Sequence, residues 1–540
     1  MGIYTLINFK CPLIINRFFQ KKGRVKLRLI NRGYKQLKNS SRLGLITQLR
    51  DALTKTELKS VKIHNIFFGK NSLDIELSVR QYLTVKILGI SFNKEILYSI
   101  GAKKPIRHPL PREWRNTLIS KKIKVDNFSC ALLWYGYIFL LWGHGSLQWL
   151  KSFWSMLCRR QNLGNYIYFH DLIKHNISHN AKDHNIVNWY LQWKNKNKNI
   201  DSICHSINGL SNCKYNELSI VKTDGLPKLK GSQMVYYYIL SMYLITYSFF
   251  MILVRPYYGL MLGEILKLVR TSFADKDQLA RDYLFHNSGP FYRPMWTYEV
   301  DRRGSRVLFY FYSTNIEVFK TSSDYIVQNP WHLISWPYYL VWDRYQADFV
   351  NFFDEFDAII EEVGAIWFSS SNEKIPSIPK TSFSVFDIQP MRSSYYLTLG
   401  ISNDFYKGSV ANKFLNDIQL VLESNQTTLS HKIKRTNPFV NKKYRCSLKH
   451  ISKKQNYIKI PADIDATQVI KRANACISMP FTSTALIAQF EGKPSIYYDP
   501  SGLIQKDDRA AHGIPVLSGI EELKEWVESL NNNKIDVSLG

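Results

Sequence analysis

The chain has 540 residues, 45% of them hydrophobic and 14% aromatic, so it is too long for one ordinary domain and too apolar for disorder throughout. Its 72 lysines and arginines exceed its 43 acidic residues, and the formal net charge of +29 favours polyanionic partners: nucleic acid, an anionic membrane surface or phosphorylated small molecules. The seven scattered cysteines predict neither a zinc site nor a disulfide framework and indicate a reducing, cytosolic compartment.

Residues 1–50 are strongly basic, because Asp51 is the first acidic residue and twelve lysines and arginines precede it. In the stretch INRFFQKKGRVKLRLI these charges alternate with Phe, Leu and Ile, a composition that suits the headgroup region of an anionic bilayer. A second acid-free stretch between Glu423 and Asp463 holds ten lysines and arginines. Each stretch is equally compatible with a solvated basic surface.

Two stretches, 127–150 and 231–254, contain no Asp, Glu, Lys or Arg, and each is long enough to cross a bilayer as a helix. However, only about half of the first stretch is strongly apolar, and the second carries five tyrosines, which prefer membrane interfaces. The segment between them, residues 151–230, has strand-like patterns and is interpreted as part of the same α/β domain. We therefore expect helices that associate with the membrane surface, in preference to helices that are buried or that span.

Strand-like patterns occur in both halves of the chain. NYIYF and NIVNWYLQW lie between the apolar stretches, and GSRVLFYFYSTN (304–315) is a buried-strand pattern that ends in a polar turn. VGAIWFSSSN (363–372) repeats that design. The stretch SNEKIPSIPKTS (371–382) resembles an interdomain linker. We therefore predict a basic arm over 1–50, an N-terminal domain over 51–375 and a C-terminal domain over 376–540.

The C-terminal domain alternates strand and helix patterns. FSVFDIQP and ACISMP are typical of buried strands, and NKFLNDIQLVLES and IDATQVIKRAN are typical of helices. This alternation predicts a parallel sheet with right-handed crossovers. The fold class is therefore α/β.

The residues around position 480 are the strongest candidates for a ligand site. The strand pattern of ACISM stops at Pro480, and Thr482, Ser483 and Thr484 are candidate N-caps for the helix that follows. Ligands bind beyond the carboxyl ends of strands in open α/β sheets, and a helix start with hydroxyl groups can hold a phosphate. Capping of the helix alone is the competing interpretation.

Basic and aromatic residues near this turn could complete such a site. Lys434 and Arg435 are candidates to neutralise diphosphate charge. Tyr498 and Asp499 end the next predicted strand and could meet a base or sugar edge; core packing and a turn are the alternatives.

The stretch ISMPFTSTALIAQFEGKPSIYYDPSG resembles the signature of the bacterial polysaccharide biosynthesis PFTS motif proteins. Further similar stretches lie between about residues 105 and 520: LPREW, HNSGPFYRPMWTYEV, FYFYSTN, WPYYLVWDRYQADF, IWFSSS and VFDIQP. The resemblance implies two Rossmann-like domains of GT-B type, with apolar membrane-associating helices in the N-terminal half. It also implies a nucleotide-sugar donor in the C-terminal domain and an acceptor on the N-terminal side.

The resemblance places the donor phosphate at the PFTS turn. The donor-binding residues that we expect are Ser478, Pro480, Phe481, Thr482, Ser483, Thr484, Lys434, Arg435, Tyr498 and Asp499. Retaining enzymes of this fold often carry a glutamate where this chain has Ile487, so their paired-glutamate donor site is not expected here. The turn is more similar to that of Kdo- or sialic-acid-type transferases, a resemblance that favours inversion. We expect no cofactor and no metal, since the DxD-like Asp463-Ile464-Asp465 is better explained as a helix cap.

An inverting transfer needs a general base near the acceptor hydroxyl. The candidates are His286, Glu299 and Asp343. A structural role is favoured for each of them, because sequence spacing alone specifies no catalytic geometry. Trp296, Ser313, Thr314 and Asn315 are the candidates for the acceptor side.

Together with these features, the resemblance implies a glycosyltransferase of capsular or O-antigen-type polysaccharide synthesis. It would take its sugar from a nucleotide-sugar donor, act on a glycan or lipid-linked acceptor, and sit peripherally on the inner face of the cytoplasmic membrane. The alternatives are a GT-B-like sugar-nucleotide epimerase or processing enzyme and a basic nucleic-acid-binding protein. The last fits poorly, because no nucleic-acid-binding motif accompanies the basic segments.

Overall fold

The computed structural model describes residues 13–36, 39–58, 72–158, 163–172, 185–193, 200–207, 212–215, 218–286, 290–314, 317–320, 325, 331–366, 375–391, 407–434 and 440–538. Within these ranges the chain forms a helical N-terminal region and two sheets made almost entirely of parallel strands.

The N-terminal helices pack closely at a pair of glycines. They are α1 (Leu13–Gln36), α2 (Asn39–Lys55), α3 (Ser72–Tyr82), α4 (Ile90–Ala102) and α5 (Arg112–Ser120). A Cβ on Gly33 of α1 would lie 2.0 Å from the carbonyl oxygen of Leu97, and one on Gly101 of α4 would lie 1.9 Å from that of Leu29. Of the residues expected as a basic arm, 13–36 and 39–50 are helical in the structure, while 1–12 and 37–38 lie outside the described residues, and the boundary at residue 50 falls inside α2.

The first apolar stretch is entirely helical, and the second is helical over residues 231–250 and ends in a turn. The next helices are α6 (Asn127–Cys158), α7 (Ile186–Gln192), α8 (Gly231–Phe250), α9 (Pro256–Leu260) and α10 (Leu262–Ser272). Trp142 of α6 donates a hydrogen bond of 3.1 Å to the carbonyl oxygen of Ile245 in α8, and Trp149 packs on Tyr238. These contacts make α6 and α8 antiparallel neighbours. Across the described part of the chain, no helix has both the length and the apolar character needed to cross a bilayer.

The first sheet comprises, among the described residues, β1 (Tyr166–Phe169), β2 (Ser202–His205), β3 (Cys213–Tyr215), β4 (Leu218–Lys222), β5 (Asp282–His286), β6 (Arg306–Tyr310), β7 (Tyr338–Val341) and β8 (Ile359–Glu362). Their order is β3-β4-β2-β1-β5-β6-β7-β8, and only β3 runs antiparallel to its neighbour. Helix α11 (Trp296–Arg302) connects β5 to β6, and α12 (Arg344–Phe353) connects β7 to β8. The chain changes direction across the sheet between β1 and β5, which is therefore its topological switch point.

The two faces of this sheet pack against different cores. Tyr168 and Tyr283 pack with the N-terminal helices, whereas their sequence neighbours Ile167 and Leu284 belong to a core that continues into the second sheet. This follows from the period of two in a strand. The central strands β1, β2, β5 and β6 are buried on both sides, as their nearly continuous apolar sequences indicate, whereas the edge strand β8 is largely exposed.

The second sheet consists of β9 (Phe383–Phe386), β10 (Leu429–Lys432), β11 (Tyr457–Ile460), β12 (Ala475–Ser478), β13 (Ser495–Asp499) and β14 (Val516–Ser518) in the described residues. Its helices are α13 (Gly408–Ser424), α14 (Lys442–Ile451), α15 (Ala466–Arg472), α16 (Ser483–Phe490) and α17 (Ile520–Ser538). The parallel order β11-β10-β9-β12-β13-β14 is that of a Rossmann dinucleotide-binding fold. Its switch point lies between β9 and β12.

Most of the predicted elements are confirmed, including the strands β1, β6, β9 and β12 and the helices α13 and α15. The strand expected at NIVNWYLQW is wrong, because this segment is helix α7. Asn185 precedes it as an N-cap and accepts hydrogen bonds of 3.0 Å from the amides of Val187 and Asn188, and the helix buries Ile186, Val187 and Tyr190 in the core. Capping and tertiary packing together override the strand preference of Ile, Val, Trp and Tyr.

The repeat of the strand pattern at 363–372 also differs from the expectation. Strand β8 ends at Glu362, and residues 363–366 are irregular, while 367–372 lie outside the described residues. The change from the first sheet to the second falls between Glu362 and Phe383.

Candidate functional site

The PFTS turn follows β12 at the switch point of the second sheet. Thr482 occupies the N-cap position of α16, but its side chain makes no capping hydrogen bond. Its hydroxyl donates to the carbonyl oxygen of Met479 at 2.9 Å instead. Capping by this side chain therefore does not explain why a threonine stands here, and the turn presents a helix start at the carboxyl edge of the sheet.

A chain of hydroxyl groups stabilises the turn from within. Thr484 Oγ1 lies 2.8 Å from Ser478 Oγ and 3.1 Å from Thr482 Oγ1. The ring of Phe481 packs edge-on against Tyr497 and Phe319, with centroids 5.2 and 4.9 Å away. Ser478, Thr484 and Phe481 thus shape the turn, and Pro480, which is also buried, ends the strand.

Ser483, predicted on the donor side, contacts Ser313 and Thr314, both predicted on the acceptor side. Its hydroxyl oxygen lies 2.9 Å from that of Ser313 and 3.3 Å from that of Thr314. Ser313 and Thr314 follow β6 of the first sheet, so the polar ends of two strands from different domains meet here. Asn315 lies outside the described residues.

The segment after β6 continues along the C-terminal domain. The Lys320 amide donates to Asp508 Oδ2 at 2.8 Å, and the Tyr325 hydroxyl donates to Asp508 Oδ1 at 3.0 Å. Together with the packing of Phe319 on Phe481, these contacts join the domains beside the PFTS turn.

The basic residues predicted near the donor phosphate lie after β10. Lys434 follows this strand and is partly buried at the same edge of the sheet as the PFTS turn. Arg435 lies outside the described residues. The preceding Lys432 is buried, and its ammonium donates to the carbonyl oxygens of Ile433 and Ala462 at 3.0 Å each. A second cation therefore lies at this edge.

Tyr498 and Asp499 make contacts inside the C-terminal domain. The Tyr498 hydroxyl donates to Asp417 at 2.6 Å, and burial together with this carboxylate raises the pKa of Tyr498 above its ordinary value. Asp499 accepts from the amides of Ser501 and Ile504 at 2.8 and 2.9 Å. These positions match the alternative interpretation of core packing and a turn.

Glu299 and Trp296 lie on α11. Glu299 accepts from Arg303 Nε at 2.8 Å, and Arg303 also donates to the carbonyl oxygen of Ala274 at 2.6 Å. These contacts surround the amino-terminal ends of β5 and β6, at the opposite edge from the PFTS turn. Trp296 is buried against Tyr283, with ring centroids 5.3 Å apart. Both residues have structural contacts in this arrangement.

His286 ends β5 at the switch point of the first sheet, but it is fully buried against the ring of Tyr310. Burial lowers the pKa of His286 to about 3, so it is neutral at physiological pH. His286 lies at the carboxyl edge of the first sheet, but neither solvent nor substrate can reach its ring.

His170 is a candidate that the sequence interpretation missed. It follows β1 directly across the switch point from β5, and its side chain is 35% exposed. His170 Nε2 lies 3.6 Å from Asp171 Oδ1, and its Nδ1 lies 3.3 Å from the Tyr168 hydroxyl. Burial lowers the pKa of His170 despite the opposing effect of Asp171. The only available signal was the strand NYIYF followed by His-Asp.

Asp343 takes part in a buried cluster between the domains. It caps α12 by accepting from the Gln346 amide at 3.0 Å, and Oδ2 lies 2.8 Å from His512 Nδ1. His512 Nε2 lies 2.9 Å from Glu317 Oε1. Burial alone would lower the pKa of His512, but Glu317 and Asp343 raise it to about 9, so the ring is a cation between two carboxylates.

The D-I-D sequence acts as a cap, as expected. Asp465 precedes α15 and accepts from the Thr467 amide at 2.7 Å. In the described ranges, no group of three or more His, Cys, Asp or Glu side chains is arranged to hold a metal ion.

The fold and site define an α/β protein whose two parallel sheets meet through polar turns at their carboxyl edges. Residues 247–527 match the polysaccharide biosynthesis PFTS motif protein family, which is more than half of the chain. The chain belongs to this family. A search of curated proteins finds no match.

Solved structures resemble the chain only distantly. A glycosyltransferase from Rickettsia africae is 9% identical, with a TM-score of 0.34 over 69% of this chain and 89% of that one. The lipopolysaccharide outer core galactosyltransferase WaaB is 10% identical, with a TM-score of 0.34 over 68% and 91%. A TarM mutant from S. aureus, in complex with Fondaparinux, alpha-GlcNAc-glycerol and UDP, is 12% identical, with a TM-score of 0.30 over 50% and 52%. The chain thus matches only about half the length of TarM.

Proposed function

We propose that the chain is a GT-B-type glycosyltransferase of surface polysaccharide biosynthesis. It transfers a sugar from a nucleotide-sugar donor to a glycan or lipid-linked acceptor. The observation that carries the proposal is the position of the family's PFTS turn. The turn starts α16 at the switch point of the second, Rossmann-like sheet and faces the polar end of strand β6 in the first sheet through Ser483 and Ser313.

The donor phosphate binds at the start of α16 in this proposal. The amides of the first helical turn and the positive end of the helix dipole attract an anion there. The hydroxyls of Ser483, Ser313 and Thr314 can rotate from one another toward a phosphate oxygen, because a hydroxyl both donates and accepts. Lys434 adds positive charge at the same edge.

The acceptor hydroxyl loses its proton to His170. This imidazole is neutral near pH 7 because its pKa is lowered, and a partly exposed neutral imidazole can accept a proton. Asp171 then stabilises the imidazolium that forms. The distant carboxylate Glu299 and the buried His286 are less suited to this role.

In the reaction the acceptor oxygen bonds to the anomeric carbon of the donor sugar, and the bond from that carbon to the phosphate oxygen breaks. The electron pair of the broken bond leaves on the phosphate, where α16 stabilises the developing charge. The acceptor proton passes to His170. Positioning of both substrates between the domains supplies most of the remaining catalysis.

A calorimetric screen of UDP-, GDP-, CMP- and dTDP-sugars tests the proposal. We expect one nucleotide class to bind, and the free nucleotide diphosphate or monophosphate of that class to compete for the same site. Failure of every nucleotide sugar to bind, with tight and salt-sensitive binding of single-stranded or duplex nucleic acid, would overturn it in favour of the nucleic-acid alternative.

A further inference from the structure

Helices α6 and α8 present an exposed apolar surface, here called the apolar face. Leu132, Leu140 and Trp154 of α6 are 66%, 55% and 69% exposed, and Ile239 and Phe250 of α8 are 59% and 72% exposed. Soluble proteins rarely expose contiguous apolar patches of this kind unless the patch has a partner.

The opposite sides of the same helices are anchored to the domain. Trp134, Ile138 and Trp149 of α6 and Tyr237 and Leu244 of α8 are almost completely buried. Each helix therefore lies along the surface of the domain with one side inward and one side outward. With 32 residues, α6 is about 48 Å long, so the apolar face is extended rather than local.

Charged side chains are few on the apolar face and lie toward its ends. Neither α8 nor α6 contains Asp or Glu, and exposed Lys151, between Leu150 and Trp154 toward the end of α6, is their only lysine or arginine. Exposed Lys121 and Lys124 precede α6, and exposed Lys230 precedes α8. Because the helices are antiparallel, lysines lie at both ends of the face.

This pattern identifies the partner as a lipid bilayer with anionic headgroups, and we propose that the apolar face docks the protein on it. Apolar side chains enter the headgroup boundary, tyrosine and tryptophan rings suit that depth, and lysines at the ends meet lipid phosphates. Lysine is depleted at protein–protein interfaces, so a second copy of the chain fits less well.

Helix α10 connects the apolar face to His170, the residue proposed to act on the acceptor. A Cβ on Gly145 of α6 would lie 2.8 Å from the backbone nitrogen of Gly263 in α10, so these helices touch. Glu264 and Lys267 of α10 are near enough to His170 to affect its pKa. A lipid-linked acceptor would thus reach His170 from the bilayer, a consequence that rests on the proposed function, whereas docking itself does not.

Flotation with vesicles tests docking without any sugar substrate. The full chain is mixed with vesicles of phosphatidylcholine alone or with about one third phosphatidylglycerol, and the floating fraction is measured. We expect the triple variant Leu132→Gln, Leu140→Gln and Trp154→Gln to lower partitioning at least tenfold. The matched control carries Leu420→Gln, Phe490→Gln and Leu503→Gln, three apolar residues exposed on the C-terminal domain, and should float like the wild type.

A charge variant tests the role of the lysines. Lys121→Gln, Lys124→Gln and Lys151→Gln together should reduce flotation only with the anionic vesicles, and Lys442→Gln, Lys443→Gln and Lys449→Gln on α14 should have no such effect. Thermal unfolding confirms that each variant is folded. The proposal is overturned if the wild type floats with neither vesicle, or if both apolar variants float equally. It is also overturned if sedimentation shows that the wild type is a dimer and the apolar-face variant a monomer, while flotation of the two proteins is the same.

Discussion

The hydroxyl oxygen of Ser483 lies 2.9 Å from that of Ser313, although the two residues belong to different sheets. Ser483 ends the PFTS turn of the Rossmann-like domain and begins α16, and Ser313 follows β6 of the N-terminal domain. The proposed phosphate site therefore lies beside a contact between the two domains.

Ser483→Ala should weaken binding of the nucleotide-sugar donor roughly 10- to 100-fold, because it removes a hydrogen bond to a charged phosphate. Titration calorimetry measures this effect. Ser424→Ala is the matched control, since Ser424 donates only within α13, at 2.9 Å to the carbonyl oxygen of Val421. Equal donor affinity in both variants would assign Ser483 to interdomain contact alone.

Lys434→Ala should weaken the same binding and also reduce its salt dependence, because a cation near the phosphate is lost. Lys493 precedes β13 at the opposite edge of the sheet, and Lys493→Ala provides a control of equal charge. If both lysine variants change donor affinity equally, Lys434 acts only through the overall charge of the protein.

His170→Ala should reduce the rate of sugar transfer about 10²- to 10⁴-fold while leaving donor affinity unchanged, as expected for loss of a general base. Because the pKa of His170 is lowered, the wild-type rate should persist below pH 6.5 and fall only at more acidic pH. A donor-saturated pH profile measures this. An unchanged rate in His170→Ala would remove His170 from the mechanism, and the exposed His450→Gln serves as control.

The contact of His512 with Glu317 and Asp343 should make stability depend on pH. The pKa of His512 is raised from 6.5 to about 9, so its stabilising effect is complete below about pH 6.5 and disappears as the pH rises through 9. The wild type should lose roughly 3 kcal/mol of unfolding free energy across this range. Chemical denaturation at a series of pH values measures it.

His512→Asn isolates this effect, because asparagine tolerates the left-handed backbone at this position, where φ is +53°. This variant should be less stable than the wild type at pH 6, and the difference should shrink toward pH 9.5. A difference that stays constant with pH would show that folding does not raise the pKa of His512.

Gly145→Ala should destabilise the protein by about 1–3 kcal/mol, since its Cβ would lie 2.8 Å from the backbone of α10. Gly136 lies in the same helix with nothing within 4 Å of an added Cβ, so Gly136→Ala should stabilise by up to about 1 kcal/mol. Opposite signs in thermal unfolding confirm the helix crossing. Equal effects would contradict it.

The periodic segments could be predicted from the sequence, because burial dictates their pattern. The strand ending at Ser478, the helix start at Ser483 and the polar turn at Ser313 were all recognisable. Their meeting across two domains was not, because sequence spacing does not report which strand ends face each other. For the same reason Asp343 gave no sign of its partner His512.

The surroundings of other residues, which decide their roles, could not be predicted from the sequence. Tyr498 ends a strand as expected, but it points to Asp417 inside the domain. His286 and His170 both follow apolar strands, and only the structure shows that the first is buried and the second partly exposed. The NIVNWYLQW segment is helical, with Asn185 as its N-cap and Ile186, Val187 and Tyr190 buried in the core, and these contacts are not visible in residue preferences alone.

Transfer of a radiolabelled sugar tests the central claim most directly. Once the donor class is known, the labelled donor is incubated with the protein and membranes that supply acceptors, and the organic and aqueous phases are counted. We predict that label appears in lipid-linked or polymeric product with the wild type and falls at least 100-fold with His170→Ala. Consumption of the donor with all label remaining in a new sugar nucleotide, and none in an acceptor, would contradict a transferase and identify an epimerase.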